Sequence, residues 1–399
     1  MAAVITIPLS NNLNSIAIIL FVASCILQQP WHEAKSRLLH SKFWIIPVVL
    51  FLWYCCTYFW DVSGGFTNKE LERYTILLFL PPALAMIPKI SPALIKKACL
   101  AFVAITVFVC VLCLFKAYIE YGETGDYRVF FYQYLGEQMH LNAIFLSNYC
   151  LAGITWLLYF RYVDQVHSRT RDHVVTLVTA AFLLLMIFLL SSKLIILLTL
   201  LLIAVFILAL GYIRGFFLRA LLGMVLIVCV GVFAVANLHY LRWRFNTTEF
   251  KTYQGPEDDH NGIAIRLFMW ETTLDLIRER PMTGYGLRGA RTTLLDEYRR
   301  RNFDLGVRNF YHSHNQYLES SLMAGIPATF LLIMLIAAAF RKAISTRNLL
   351  SILFISHFAV QSIFEATFEV QHELVFYMLF IFLFYYHAPQ GKQYTHQLQ

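Results

Sequence analysis

Charge is scarce in these 399 residues: Asp, Glu, Lys and Arg together make up 14%, against 59% hydrophobic residues. A chain so poor in charge cannot stay disordered, and its mean hydropathy of +0.60 is far from that of soluble domains. Collagen-like and coiled-coil repeats, low-complexity tracts and Gly/Ser linkers are missing as well. The eight cysteines lie in or beside apolar blocks with no metal-type spacing to histidine, so they read as small core residues rather than a disulfide scaffold or zinc site. The short alternating strands of an outer-membrane barrel are absent too; apolar residues come in unbroken blocks such as LLTLLLIAVFILAL (197–210). The expected fold class is therefore an all-α polytopic membrane protein.

Eleven blocks are long enough to cross about 30 Å of hydrocarbon: 12–28, 43–60, 72–88, 97–116, 141–160, 173–190, 194–211, 219–236, 315–340, 348–364 and 371–387. The net charge of +8 does not point to nucleic acid, because its Lys and Arg are spread over alternate short connections (Lys35, Arg37, Lys96, Arg169, Arg171, Arg214, Arg341, Lys342). The intervening connections carry acids instead, among them Asp61, Glu70, Glu120, Glu123, Glu365 and Glu369. By the positive-inside rule the basic set is cytoplasmic and the acidic set faces outward. This puts the C-terminus inside and the N-terminus outside. The opening MAAVITIPLS then reads as the tail of an earlier span, for a twelve-span architecture with its first span truncated.

One large polar insertion interrupts the pattern, which divides the chain into N-terminal membrane helices (1–236), an outward helical loop (237–313) and C-terminal membrane helices (314–399). Within the loop, Ile263, Leu267, Trp270, Leu274 and Ile277 recur at helical spacing and predict an amphipathic helix that Pro281 ends. A second polar helix is expected over 288–302.

The spans themselves hold almost no ionisable groups, unlike those of a transporter or channel. Polar chemistry gathers instead at the outer rim: Lys193 in the tight SSK turn, Arg266 on the amphipathic helix, PMTGYGLRG (281–289) and HSHNQYLE (312–319). Each has an ordinary structural alternative. Lys193 can snorkel from a hairpin, Arg266 can be a solvated helix face, the glycines can simply permit a turn, and His312 and His314 can be interfacial. Asp258, Asp259 and His260 are a poor metal set on an acidic loop.

Taken in order, Arg266, Trp270, Pro281, Gly284, Gly286, His314, Asn315 and Gly325 resemble the C-terminal signature of the O-antigen ligase and polysaccharide polymerase superfamily. The resemblance extends upstream to the SSK hairpin and to PLSNNLNSIAIIL near the start. It implies a bacterial inner-membrane glycosyltransferase that moves an undecaprenyl-diphosphate-linked glycan, without nucleotide sugar, metal or other cofactor, to an acceptor hydroxyl at the periplasmic face. In the ligases the acceptor is the lipid A core.

On this resemblance His314 is the candidate general base, since a neutral imidazole can take the hydroxyl proton. Arg266, with Lys193 and Arg288, would hold the donor diphosphate, and His312, Asn315, Trp270, Gly284 and Gly286 would support the acceptor side. Family members usually carry Arg where this chain has Lys193, so charge survives there and bidentate geometry does not. Ligase is favoured over a polymerase or a protein O-oligosaccharyltransferase, because only twelve or so residues follow the last span and loop 117–140 has a single arginine, Arg128. A lipid-linked glycan transporter and a non-catalytic assembly protein are the readings outside this class.

Overall fold

The computed structural model describes residues 1–64, 68–164, 170–190, 193–213, parts of 217–233, 253–255 and 262–387. Among the described residues all regular structure is helical. After a single turn at Ala2–Ile5 come α1 (Asn11–Leu27), α2 (Trp31–His40), α3 (Ile45–Cys56), α4 (Thr75–Met86), α5 (Pro92–Thr124), α6 (Ala143–Tyr159), α7 (Thr170–Leu190) and α8 (Lys193–Ile213). The polar segment supplies α9 (Gly262–Glu279) and α10 (Gly289–Arg300), and α11 (Gln316–Ser345), α12 (Leu349–Phe364) and α13 (Gln371–His387) close the chain.

Local sequence sets these limits. The longest helix, α5, starts where the Ser91 hydroxyl accepts from the Leu94 N–H with Pro92 at the first helical position, and it ends at Gly125, whose φ of +68° only glycine adopts freely. Asn315 caps α11 by accepting from the N–H groups of Tyr317 and Leu318.

Helices occupy the predicted apolar blocks, apart from 219–236, which lies largely outside the described residues. Four are long and apolar enough to cross a membrane singly: α5, the run Ala143–Asp164, Arg171–Leu190 within α7, and α11. A fifth is made by α1 and α2 when this pair, bent by 107°, counts as one span. Among the described residues, length and composition thus support four or five crossings, where the hydropathy blocks of the full sequence give eleven. Helices at several other blocks are short, with α3 and α4 at 12 residues each and Pro81 and Pro82 inside α4.

At the centre of the bundle is α13, apolar on every side and buried along nearly its whole length, as a helix without a polar face must be. It packs on α4, while α6 packs between α5 and α7, and α11 lies against α3, α9 and α12. Phe376 and Phe380 of α13 meet Phe102 of α5, Trp156 of α6 and Phe354 of α12 in one aromatic cluster with centroid separations of 4.5 to 6.3 Å.

One feature of α11 determines the geometry of the site. The helix breaks at Ala324 and Gly325, where Gly325 has φ +75°. Pro327 has no N–H to donate to Met323, and the Ile326 N–H turns to the Pro281 carbonyl at 2.8 Å, so the carbonyls of Leu322 and Met323 lose their helical donors. Both are taken up by the 281–289 loop: Tyr285 N–H donates to Leu322 O and Gly286 N–H to Met323 O, each at 2.9 Å. The glycines make this approach possible. A Cβ on Gly284 would sit 2.6 Å from Leu322 O, and one on Gly325 would sit 2.2 Å from Met282 O. Trp53 of α3 donates to Ala324 O at 2.7 Å, and Trp60 just beyond it donates to Thr283 O at 2.8 Å. Loop, broken helix and α3 therefore form one hydrogen-bonded unit.

Candidate active site

At the end of the bundle carrying α9 and α10, the turn before α11 meets the connection between α12 and α13. His314 has φ +47°, an uncommon conformation for a side chain of this kind, and its N–H donates to His312 Nδ1 at 2.9 Å. Ser313 between them is fully buried and gives both its N–H and its hydroxyl to Glu319, at 2.9 and 2.6 Å. Glu319 thus holds the HSH turn from one helical turn further on. The two imidazole rings lie 4.1 Å apart.

Glu365 reaches both histidines from the α12–α13 connection. Its Oε1 is 3.0 Å from His314 Nδ1 and 3.5 Å from His312 Nε2, and its side chain is 5% exposed. Burial works to raise this carboxyl, but His314, His312 and Arg266 outweigh burial and hold it at about 2. It is therefore an ionised acceptor for the Nδ1–H of His314, an arrangement that turns Nε2 away from the carboxylate. Burial in turn lowers His312 to about 3, helped by the neighbouring His314. His312 stays neutral, with Nδ1 accepting from the backbone and Nε2 carrying its proton.

These hydrogen bonds bear on metal binding. The ligand atoms of His312, His314 and Glu365 lie within 4.8 Å of one another, close enough to surround an ion. Yet the free lone pair of His312 is spent on the His314 N–H, and Nδ1 of His314 donates to Glu365, so the two imidazoles do not offer lone pairs to a shared point. The arrangement is that of a proton-handling group. Asp258, Asp259 and His260 lie outside the described residues.

Arg266 lies on α9, near enough to Glu365 to lower its carboxyl. One of its terminal nitrogens donates to Gly262 O at 3.2 Å, while its buried Nε has no hydrogen-bond partner among the described residues. One turn on, the buried Nε1 of Trp270 is also unpartnered, and its ring packs on Phe364, 5.9 Å away at the end of α12. Two buried donors without acceptors, side by side on one helix, suit an oxygen-rich ligand. Of the stripe that its periodicity picks out, Ile277 is buried with Ala264, Ile265, Met269, Thr272 and Leu276, whereas Leu267, Trp270 and Leu274 line an open groove of about 320 Å³ with Glu271 and Arg278. Neighbouring helices cover the more mixed face, and hydropathy alone does not reveal which face that is.

On the other flank, Glu369 accepts from Arg73 (3.1 Å), Arg291 (3.3 Å) and the Tyr74 hydroxyl (2.7 Å). Burial would raise its carboxyl, but the two guanidiniums and the hydroxyl bring it below its ordinary value. Arg288 is exposed; its N–H and that of Gly289 donate to Asp61, which also accepts from Ser63 and so anchors the start of α10. A Cβ on Gly286 would sit 2.2 Å from this Asp61 carboxylate. Gly284, Gly286 and Asn315 are thus positioned by backbone packing and capping. Lys193 begins α8, and its side chain lies outside the described residues, as do Ser191 and Ser192.

The structure therefore gathers His312, His314 and Arg266 around Glu365, with Trp270 beside Arg266. Sequence reasoning took Glu365 and Glu369 only as markers of an outward connection. The signal available was two acids in a very short connection between apolar helices.

The profile of the O-antigen ligase family matches residues 178–333, a stretch that includes Arg266, the 281–289 loop, the HSHN turn and the break in α11. That segment, less than half of the chain, is similar to the O-antigen ligase family. An uncharacterized protein of Haemophilus influenzae (strain Rd) is 25% identical over 138 residues, covering 33% of this chain. The match spans 35% of that relative's own length. The apolar helices describe a multi-pass membrane protein.

Proposed function

We propose that the chain is an O-antigen ligase of the bacterial inner membrane, transferring a glycan from undecaprenyl diphosphate to a hydroxyl of a lipid A-core acceptor at the periplasmic face. The observation that carries the mechanism is the His314–Glu365 pair, with Arg266 beside it. Glu365 accepts from Nδ1–H, so Nε2 of His314 is the basic nitrogen and takes the acceptor proton as the acceptor oxygen attacks C1. The bond from C1 to the diphosphate oxygen breaks in the same displacement, with inversion, and undecaprenyl diphosphate leaves as an anion. Arg266 stabilises that developing charge through donors the fold leaves unpaired, and Lys193 and Arg288 add positive charge. His312, locked neutral, supports the turn that presents His314 and lines the acceptor side with Trp270.

Nothing in this chemistry requires a nucleotide sugar or a metal ion. In domain terms, 1–236 and 314–399 hold the lipid-linked substrates in the membrane, and 237–313 carries the motifs over them. The test is lipopolysaccharide banding in a ligase-deficient Gram-negative strain supplied with the cognate lipid-linked glycan. A ladder on lipid A core from the wild type, lost in membrane-inserted His314→Ala and Arg266→Ala, supports ligation. Longer glycan that remains on undecaprenyl moves the assignment to a polymerase, glycan on protein moves it to a protein O-oligosaccharyltransferase, and a ladder surviving both substitutions refutes the mechanism.

A further inference from the structure

Below the candidate site the bundle holds a second ionisable centre that the transfer chemistry does not use. On α12, His357, Gln361 and Glu365 follow one another at intervals of four, so a single polar stripe runs from the site into the bundle. His357 is 3% exposed and Gln361 fully buried. Asn148 and Tyr149 of α6 and Glu373 and Tyr377 of α13, all fully buried, extend the polar region to the neighbouring helices. Asn148 links two of them: its Oδ1 is 2.8 Å from His357 Nε2, and its Nδ2 donates to Glu373 Oε2 at 3.3 Å.

Glu373 has no counter-charge among the described residues. Asn148, Tyr149 and Tyr377 are neutral, His372 beside it on α13 turns its ring to Phe145 and Tyr149, and Glu365 acts on it with a charge of the same sign. Its Oε1 makes no hydrogen bond, although the Tyr149 hydroxyl is close, and both ends of the Gln361 amide and the Tyr377 hydroxyl are likewise without partners. A buried carboxylate is retained only with a neutralising partner, and buried polar atoms left unpaired mark a missing ligand. Ionisable groups set inside apolar helical bundles usually bind and exchange protons or ions.

We propose that Glu373 is a proton-binding site, holding one exchangeable proton on Oε1 where it donates toward Tyr149, with Asn148 and His357 keeping Oε2 oriented. The proton neutralises the bundle interior and lets Oε1 donate to the Tyr149 hydroxyl oxygen. No step of glycan transfer enters the argument, and the readout does not depend on that activity.

The test is an infrared pH titration of the full chain in lipid nanodiscs, with wild type and Glu373→Gln compared as difference spectra. The expected result is a protonated-carboxyl carbonyl band at neutral pH that moves on deuterium exchange, disappears in Glu373→Gln and shifts in Glu373→Asp. Absence of the band from wild type, or an unchanged band in Glu373→Gln, overturns the proposal. So does loss of the band on adding sodium or potassium at constant pH, which would make the ligand a metal cation. If Glu373→Gln does not fold, Asn148→Leu, which removes the hydrogen bond to Oε2, must shift the band, and an unshifted band again overturns the assignment.

Discussion

His314 Nδ1 lies 3.0 Å from a carboxylate oxygen of Glu365, a residue 51 positions further along the chain. The contact fixes which imidazole nitrogen carries the proton, and so which one can act as base. Glu365→Gln keeps the shape and removes the ionised acceptor. The rate of glycan transfer is expected to fall about a hundredfold with little change in the KM for donor, and His314→Ala to fall within the range of about 10²- to 10⁴-fold typical of general base removal. Steady-state kinetics on reconstituted protein measures both. Wild-type turnover from Glu365→Gln would show that His314 needs no orienting carboxylate.

Arg266 should act on binding of the charged group rather than on the proton. A hydrogen bond to a charged group contributes about 1.5 to 3 kcal/mol, so Arg266→Gln is expected to weaken donor binding by about tenfold to a hundredfold. Arg266→Lys should recover only part of this, because an ammonium lacks the paired geometry. A donor-concentration series separates the two; equal affinity for Lys and Arg variants would mean that only charge matters.

Acid should destabilise the site in two stages. His312 is held at about 3 against an ordinary 6.5, so below pH 6.5 the unfolded chain takes up a proton that the native site refuses, and stability drops as pH falls through that window. Glu365, held at about 2 against 4.5, stabilises the fold above 4.5 and loses this contribution as pH falls toward 2. Thermal unfolding in detergent at a series of pH values should show a decline beginning below 6.5, and His312→Asn should remove the upper part of it. A midpoint for the variant that tracks wild type between 6.5 and 4.5 would contradict the assignment to His312.

Chelation is expected to leave transfer unchanged, since His312 spends its lone pair on the His314 N–H. Activity after extensive dialysis against EDTA, compared with zinc and magnesium add-back, is the measurement. Loss on dialysis with recovery on add-back would assign the His312, His314 and Glu365 cluster to a metal after all.

Gly325→Ala should be among the most damaging single substitutions. At φ +75° and ψ 174°, a region essentially restricted to glycine, a side chain costs about 1 to 3 kcal/mol in backbone strain alone, and its Cβ would also collide with Met282 O. Gly122 offers the control, because a Cβ there meets nothing within 4 Å. The thermal midpoint should drop for Gly325→Ala and hold or rise for Gly122→Ala.

Sequence alone located the parts of this molecule that follow local rules. The amphipathic helix read around Ile263 to Ile277 and the polar helix over 288–302 correspond to α9 and α10, and the apolar blocks correspond to helices. What escaped was set by contacts between distant segments. Glu365 becomes part of the site only when α12 and α13 bring their connection against the HSH turn, and Glu373 and His357 sit in blocks whose average hydropathy conceals them. Helical spacing on α9 picked out an apolar stripe, but packing against α11 buries chiefly the neighbouring residues Ala264, Ile265 and Met269.

The break at Gly325 also divides α11 mechanically. A continuous helix transmits tilt and rotation along its length, but here the segment bearing the HSH turn is fastened to the 281–289 loop and to Trp53, while the segment after Pro327 runs on through the bundle. The backbone hydrogen-bond ladder of α11 is interrupted at Ala324 and Gly325, so the HSH turn takes its position from the 281–289 loop and α3 rather than from the distal half of its own helix.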